Sequence, residues 1–242
     1  MQRYFALNRL DDIFTFNDVD SHHMMKVMRV KLNEQIEVVF DKHLYLGSIC
    51  SLNPLQVKLV KELNDDSELR NNVTLYYCLV KGDKLDLVIQ KAVELGVNRI
   101  VLLNCKRSIV KIKKEDVNKK LDRYQQIVKS ASEQSHRLLI PSVEGIYDLN
   151  KLDVSKLCNH NFIAYELEKG VVDKTREYYQ NINENESVGI LVGPEGGFEQ
   201  SEVDYCNSIG FKTISLGKRI LRSETAAIAS LAQLAFILEN KR

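Results

Sequence analysis

Thr74-Leu75-Tyr76-Tyr77-Cys78-Leu79-Val80 is an unbroken apolar run, as expected of a strand buried on both faces. A helical pattern follows at once. Leu85, Val88, Ile89 and Ala92 recur at i, i+3, i+4 and i+7, Asp83 can cap the start, and Gly96 can close the end. Ile100-Val101-Leu102-Leu103 then supplies a second buried strand and completes a βαβ unit. Further along, Phe162-Ile163-Ala164-Tyr165, Val188-Gly189-Ile190-Leu191-Val192 and Thr213-Ile214-Ser215-Leu216 repeat the apolar signature with helical segments between them. Strands alternating with helices predict an α/β domain with a mostly parallel sheet. A helix from about Asn118 to Gln134 presents Leu121, Tyr124, Val128 and Ala131 on one face. The last helix does the same with Ile228, Leu231, Leu234 and Leu238, and both stripes read most simply as core packing.

Upstream the pattern is different. Gln35-Ile36-Glu37-Val38-Val39-Phe40, Leu44 to Ile49 and Gln56 to Val60 are short strands separated by turn signals, which predicts a small N-terminal β-barrel. The polar stretch Leu63-Asn64-Asp65-Asp66-Ser67-Glu68, followed by Asn71-Asn72, reads as a linker. Two domains are therefore expected, residues 1–72 and 73–242.

At 242 residues, 44% hydrophobic and 28% charged, the chain has the balance of a globular protein rather than a disordered one. No stretch approaches the roughly 20 apolar residues of a membrane span, and the N-terminus lacks the apolar core of a secretory signal, so a cytoplasmic location is expected. Cys50, Cys78, Cys105, Cys158 and Cys206 form no C-x-x-C pair and read as small buried hydrophobes. His22-His23 is no metal signature, because adjacent histidines diverge and no second ligand pair is suitably spaced; no metal is expected.

The net charge of +1 hides an asymmetry. Lys106 to Arg137 carries ten Lys or Arg against four acids, whereas Glu144 to Asp204 carries thirteen acids against five bases. Lys106, Arg107, Lys111, Lys113 and Lys114 make a cluster that a phosphate backbone would reward through counterion release, although a solvated face has the same composition.

In an open α/β sheet, ligands bind outside the carboxyl ends of the strands, so the loops after the apolar runs are the places to search. Leu191-Val192 leads into Gly193-Pro194-Glu195-Gly196-Gly197-Phe198, where three glycines allow a ligand to approach bare amides; Gly and Pro also make tight connections, but three Gly, one Pro and an acid within five residues exceed what turning needs, so a binding loop is expected. Neither a triphosphate loop, G-x-x-x-x-G-K-[ST], nor a dinucleotide fingerprint after the first strand is present, which argues against ATP and NAD. The second loop is Gly217-Lys218-Arg219-Ile220-Leu221-Arg222-Ser223-Glu224-Thr225-Ala226. Ser223 or Thr225 can cap the last helix and Glu224 suits its first turn, while Arg219 and Arg222 suit an anionic substrate or developing negative charge.

Taken together, Lys81 to Val97, Ser132-Glu133-Gln134-Ser135, Leu191 to Phe198 and Leu216 to Ala226 resemble the RsmE family of SPOUT-class methyltransferases, which methylate N3 of a uridine in 16S rRNA of the small ribosomal subunit. His23, Val27, Arg29 and Val30 resemble that family's PUA-like RNA-binding domain, so the likeness covers nearly the whole chain. One departure is Lys218, where the family usually has proline. The resemblance implies a deep trefoil knot in the C-terminal domain, a homodimer, and S-adenosyl-L-methionine (SAM) held in the knot loops. A knot is something no periodicity could reveal.

By the same resemblance, the cofactor residues are Leu191, Val192, Gly193, Pro194, Glu195, Gly196, Gly197, Leu216, Gly217, Arg219, Ile220, Leu221, Thr225 and Ala226. An imide nitrogen is a poor nucleophile until its proton leaves, and the charge then spreads onto the flanking carbonyls. Arg222, a planar fork of donors that stays protonated, is the expected stabiliser of that anion; Glu224 is a candidate base, and proton loss to water is the alternative. For RNA, His23, Lys26 and Arg29 are the N-terminal candidates, with Lys106, Arg107, Lys111 and Lys113 from the other domain. The N-terminal set could equally be a packed turn with Met24, Met25 and Met28 inside. Two rivals stand beside the rRNA enzyme: an RNA-binding assembly factor without activity, and a SPOUT enzyme acting on tRNA or another base.

Overall fold

The computed structural model describes residues 1–166 and 172–240. The chain forms two compact units, the first made of Met1–Glu68 with Ser132–Ile140, the second of Leu69–Ala131 with the chain from Pro141 onward.

The first unit holds strands β1 (Arg3–Phe5), β2 (Asn8–Leu10) and β3 (Ile13–Thr15), helix α1 (Asp18–His22), and strands β4 (Gln35–Phe40), β5 (His43–Leu52) and β6 (Leu55–Leu63). They pair as one sheet in the order β1-β4-β5-β6-β3-β2. Its two ends are drawn together where the chain leaves β1: the Ala6 amide donates to Val39 O at 2.9 Å and the Leu7 amide to Thr15 O at 2.8 Å. The expected small barrel is thus a curled sheet, filled by Phe14, Ile36, Val38, Ile49 and Val57. Asn17 caps α1 by accepting from the Asp20 amide at 2.8 Å.

Residues 132–140 join this unit through buried charge. The Arg3 guanidinium, 5% exposed, donates to Glu37 and Asp65 carboxylates, both at 2.8 Å, and to the His136 carbonyl at 2.6 Å. Arg137, 3% exposed, meets Glu68 at 2.7 Å, and the Leu138 amide donates to the same carboxylate at 2.7 Å.

The second unit contains β7 (Val73–Cys78), α2 (Lys84–Glu94), β8 (Arg99–Asn104), β9 (Ser142–Asp148), β10 (His160–Ala164), α4 (Val172–Gln180), β11 (Val188–Val192), α5 (Gln200–Ser208), β12 (Phe211–Ile214) and α6 (Ser223–Glu239), while α3 runs Val117–Gln134. The sheet order is β12-β10-β11-β7-β8-β9 and every pairing is parallel. β7 is buried at all six positions, as its unbroken apolar run predicts. On α2 the predicted stripe Leu85, Val88, Ile89 and Ala92 faces inward, and Gly96, at φ +88°, ends the helix. Asp83 occupies the N-cap position of α2 without making a side-chain cap bond. The end of the segment read as a linker is bonded into this unit, with the Asn71 side-chain amide donating to the carbonyls of Asn183 and Glu186.

Cys78 and Cys105, at the carboxyl ends of β7 and β8, are joined as a disulfide, a pairing the sequence reading did not anticipate; Cys50, Cys158 and Cys206 are free. Among the described residues no helix is long and apolar enough to cross a membrane, and no group of three or more His, Cys, Asp or Glu is placed to hold a metal ion.

Candidate active site

β12, β10 and β11 are consecutive in the sheet and parallel, so their carboxyl ends open onto one edge. The loops that leave them enclose a cavity of about 460 Å³. Its wall is made by Ala164–Glu166 after β10, Val192–Phe198 after β11, and Ser215–Ser223 after β12, with Lys84 from the start of α2 and Ala226 from the first turn of α6. Side-chain-poor loops at this edge leave room for a small molecule, and the volume is within the roughly 300–1,000 Å³ usual for such sites.

The glycine loop needs its glycines for three separate reasons. A Cβ on Gly193 would come within 2.9 Å of the Phe198 ring, which is folded back into the core. Gly197 turns the chain at φ +67°, its amide bonded to Pro194 O at 3.0 Å, and a Cβ there would meet Glu166 Oε1 at 2.5 Å. Above Gly196 lies Arg107, whose guanidinium donates to the Gly196 carbonyl at 3.1 Å.

Glu195 is anchored rather than free. It accepts from the Lys81 amide at 3.3 Å and the Lys84 ammonium at 3.2 Å. Burial opposes its ionisation, but backbone N–H donors and the Lys84 ammonium outweigh that and hold the carboxyl below the usual carboxylate range. Lys84 also lies 3.5 Å from Glu224 Oε2, a buried oxygen that makes no hydrogen bond of its own.

The β12 loop is pinned at its root, where the buried Thr175 hydroxyl donates to Ser215 O at 3.1 Å and accepts from the Ser215 amide at 3.0 Å. At the far end, Ser223 was read as a helix cap and is not one. The cap position is Arg222, which makes no side-chain cap bond, and Ser223 begins the helix proper. Its buried Oγ lies 2.5 Å from Gly193 O and 2.9 Å from the Tyr77 hydroxyl. A carbonyl can only accept, so the serine proton goes to Gly193 and the tyrosine proton is left to complete the chain. Burial pushes the Tyr77 phenol well above its usual range, which keeps that proton in place. Three elements, β7, the glycine loop and α6, are thus tied at one hydroxyl.

Of the cofactor residues predicted from sequence, Val192, Gly193, Pro194, Glu195, Gly196, Gly197, Leu216, Gly217, Arg219, Ile220, Leu221 and Ala226 line the cavity. Leu191 and Thr225 do not: Leu191 is in the core, and Thr225 is exposed on the first turn of α6. Arg222 is on the wall and exposed, and among the described residues neither it nor Arg219 has an ion-pair partner. Glu224 is off the wall, facing Lys84. Sequence reasoning missed Lys84, Tyr165, Glu166 and the locking role of Ser223. Glu166 carried a usable signal, since it directly follows an apolar strand run.

The RNA candidates fall into two groups. Lys106 is occupied, its ammonium 3.0 Å from Glu199 and 2.9 Å from Ser201 Oγ, whereas Lys111 is exposed and Lys113 meets Glu115 only at 3.7 Å with both side chains mostly in solvent. His23, Lys26 and Arg29 are exposed on the first unit, on and just after a π-helical turn; Met24 is buried beneath it, Met25 half-buried, and Met28 exposed.

Residues 67–235 match the model of an RNA methyltransferase domain, and residues 16–62 that of an RNA methyltransferase PUA domain. The chain is 33% identical to ribosomal RNA small subunit methyltransferase E of Mesomycoplasma hyopneumoniae, over 96% of this chain and 98% of that one. The chain belongs to the RsmE family of RNA methyltransferases. Ribosomal RNA small subunit methyltransferase E of Neisseria gonorrhoeae, solved bound to S-adenosyl methionine, is 30% identical with a TM-score of 0.84, covering 98% of this chain and 97% of that one. A Legionella pneumophila protein in complex with SAM is 28% identical with a TM-score of 0.85, and 96% of each chain is covered.

Proposed function

We propose that this protein transfers a methyl group from SAM to N3 of a uridine in 16S rRNA of the small ribosomal subunit. The observation that carries the reading is the coincidence, on one cavity, of the Gly193–Gly197 loop with the exposed guanidinium of Arg222, which has no ion-pair partner among the described residues. The residues present fit the cofactor. The cavity is of small-molecule size, Gly217 turns at φ +123° with open space where a Cβ would stand, and the wall mixes backbone amides with apolar side chains.

Bound there, SAM supplies a methyl group on a cationic sulfur. The chain does the rest. The glycine loop and Leu216–Leu221 hold the cofactor, and the Ser223 lock keeps the two loops in register. Arg222 donates to the uridine carbonyl oxygens, where charge gathers as the N3 proton leaves. Because Glu224 is off the cavity wall, water at the cavity mouth is the simpler proton acceptor, and Glu224→Gln separates the two routes by its effect on kcat.

Residues 1–72 serve as a PUA-like RNA-binding domain, with His23, Lys26 and Arg29 on the RNA, and residues 73–242 as the SPOUT catalytic domain with Lys106, Arg107, Lys111 and Lys113 at its RNA face. With this reading go a trefoil knot, a homodimer and a cytoplasmic location, which membership of the family supports. On α6, Leu231, Leu234 and Leu238 are buried within their own unit while Phe236 is 69% exposed, so Phe236 is the position of this helix we assign to the dimer contact. The test is methyl transfer from labelled SAM to small subunits lacking the modification, read by nucleoside mass spectrometry. 3-Methyluridine is the expected product. Another methylated base overturns the assigned target, and no transfer to subunits, naked rRNA or tRNA, with no SAM binding, returns the protein to the class of RNA-binding factors.

A further inference from the structure

Six charged side chains stand on the cavity wall: Lys84, Glu166, Glu195, Lys218, Arg219 and Arg222. Lys84 and Glu195 neutralise each other at 3.2 Å. What remains is one carboxylate, Glu166, among three exposed cations. No ion pair or hydrogen bond reaches Glu166 among the described residues, and its Oε1 lies beside the glycine loop, 2.5 Å from where a Cβ on Gly197 would stand.

The adenosyl cofactor brings groups of both signs. Its α-carboxylate suits the cationic loop after β12, whereas its α-ammonium is repelled by those same cations and needs an acceptor. Among the described residues, Glu166 is the wall's one carboxylate without a cation. Adenine and ribose offer neutral donors as well, but a hydrogen bond between two charged groups is about twice as strong as a neutral one, so an unpaired carboxylate selects the ammonium first. We propose that Glu166 is a cofactor-specificity residue whose carboxylate receives the α-ammonium group of the methionine portion. This rests on the reading of the cavity as a SAM site.

The experiment is calorimetric binding of S-adenosylhomocysteine and of its analogue lacking the α-amino group, to the parent protein and to Glu166→Gln. Glutamine keeps the size of the side chain on an exposed loop, and Glu166→Ala provides a second variant. The expected result is a loss of about tenfold for S-adenosylhomocysteine and no change for the des-amino analogue, so that the two ligands bind alike to the variant. Equal weakening of both ligands would mean that Glu166 reads the ribose or the adenine, and unchanged affinity for both that it reads nothing; either overturns the proposal. A parent protein that binds neither ligand sinks the cofactor reading itself, a separate outcome.

Discussion

Replacing Ser223 by alanine removes the one hydroxyl that ties the glycine loop to β7 and α6, and its cost can be worked from the buried groups left behind. The Gly193 carbonyl loses a partner at 2.5 Å and the Tyr77 hydroxyl one at 2.9 Å, in a site where Ser223 is 5% exposed and Tyr77 is fully buried. An orphaned buried polar group costs about 1–3 kcal/mol, so Ser223→Ala should destabilise by about 3 kcal/mol. Tyr77→Phe removes only the outer bond and leaves Ser223 still donating to Gly193, which gives about 1 kcal/mol. In urea denaturation the double variant should lose less than the sum of the two, because the tyrosine has nothing left to bond once the serine is gone. The cavity should loosen as well, since Gly193 and Ser223 both stand on its wall. The KM for SAM should therefore rise more in Ser223→Ala than in Tyr77→Phe. A stability within about 0.5 kcal/mol of the parent for Ser223→Ala, with an unchanged KM, would refute the lock.

Arg222→Ala should lower kcat at saturating RNA by about 10²–10³, and Arg222→Lys should recover only part of it because an ammonium cannot reproduce the fork of donors. Replacing Lys111 and Lys113 together should weaken RNA binding and flatten its dependence on log salt by roughly 1.5, read from a salt titration; an unchanged slope removes them from the RNA face. Arg137→Met removes the guanidinium that faces the Glu68 carboxylate in the first unit, where the two side chains are 3% and 19% exposed, and should cost about 2–3 kcal/mol in thermal or chemical unfolding. At alkaline pH the sign is fixed by Tyr76, Tyr77 and Tyr179, whose phenols burial raises above the usual 10.0. Their contribution is complete below that pH and is lost above it, because the unfolded chain ionises first. Unfolding free energy should therefore begin to fall at about pH 10 and go on falling as the pH rises further towards the raised folded-state values.

The second unit was legible because its strands are buried on both faces and its helices on one. An apolar run such as Thr74–Cys78 leaves few alternatives, and the all-parallel order follows from alternation with helices. β9 was not legible: Ser142–Asp148 is an edge strand with no fully buried position, so it lacks the continuous run that marks its neighbours. Nor was the placement of Ser132–Ile140 in the first unit, which rests on Arg3, Arg137 and three carboxylates brought from distant parts of the chain. Charged residues in a sequence read as surface until their partners are known. The two loops of the site were found from glycine content, a local property. The third, at Glu166, has a single glycine, Gly170, four residues on rather than a cluster of them, and was passed over for that reason, although it follows an apolar run just as the others do.

The arrangement of charge around the cavity separates the tasks that one small pocket must perform. Lys84, at the start of α2, lies between the carboxylates of Glu195 on the glycine loop and Glu224 in the first turn of α6, so this group is self-contained and offers no cation to the cavity. Lys218, Arg219 and Arg222 are exposed on the loop after β12, where Lys218 and Arg219 are left for the cofactor's carboxylate and Arg222 for the anion that arrives with the substrate. A cationic cofactor and an anionic reacting base are opposite demands, and they are met from different strands: β12 carries the arginines and β10, beside it in the sheet, carries Glu166. Charge reversal at either position should therefore be selective. Glu166→Lys should abolish cofactor binding while sparing RNA affinity, and Arg222→Glu should spare cofactor binding while stopping transfer. If both substitutions damaged both properties to the same degree, the two demands would not be divided between the strands as argued.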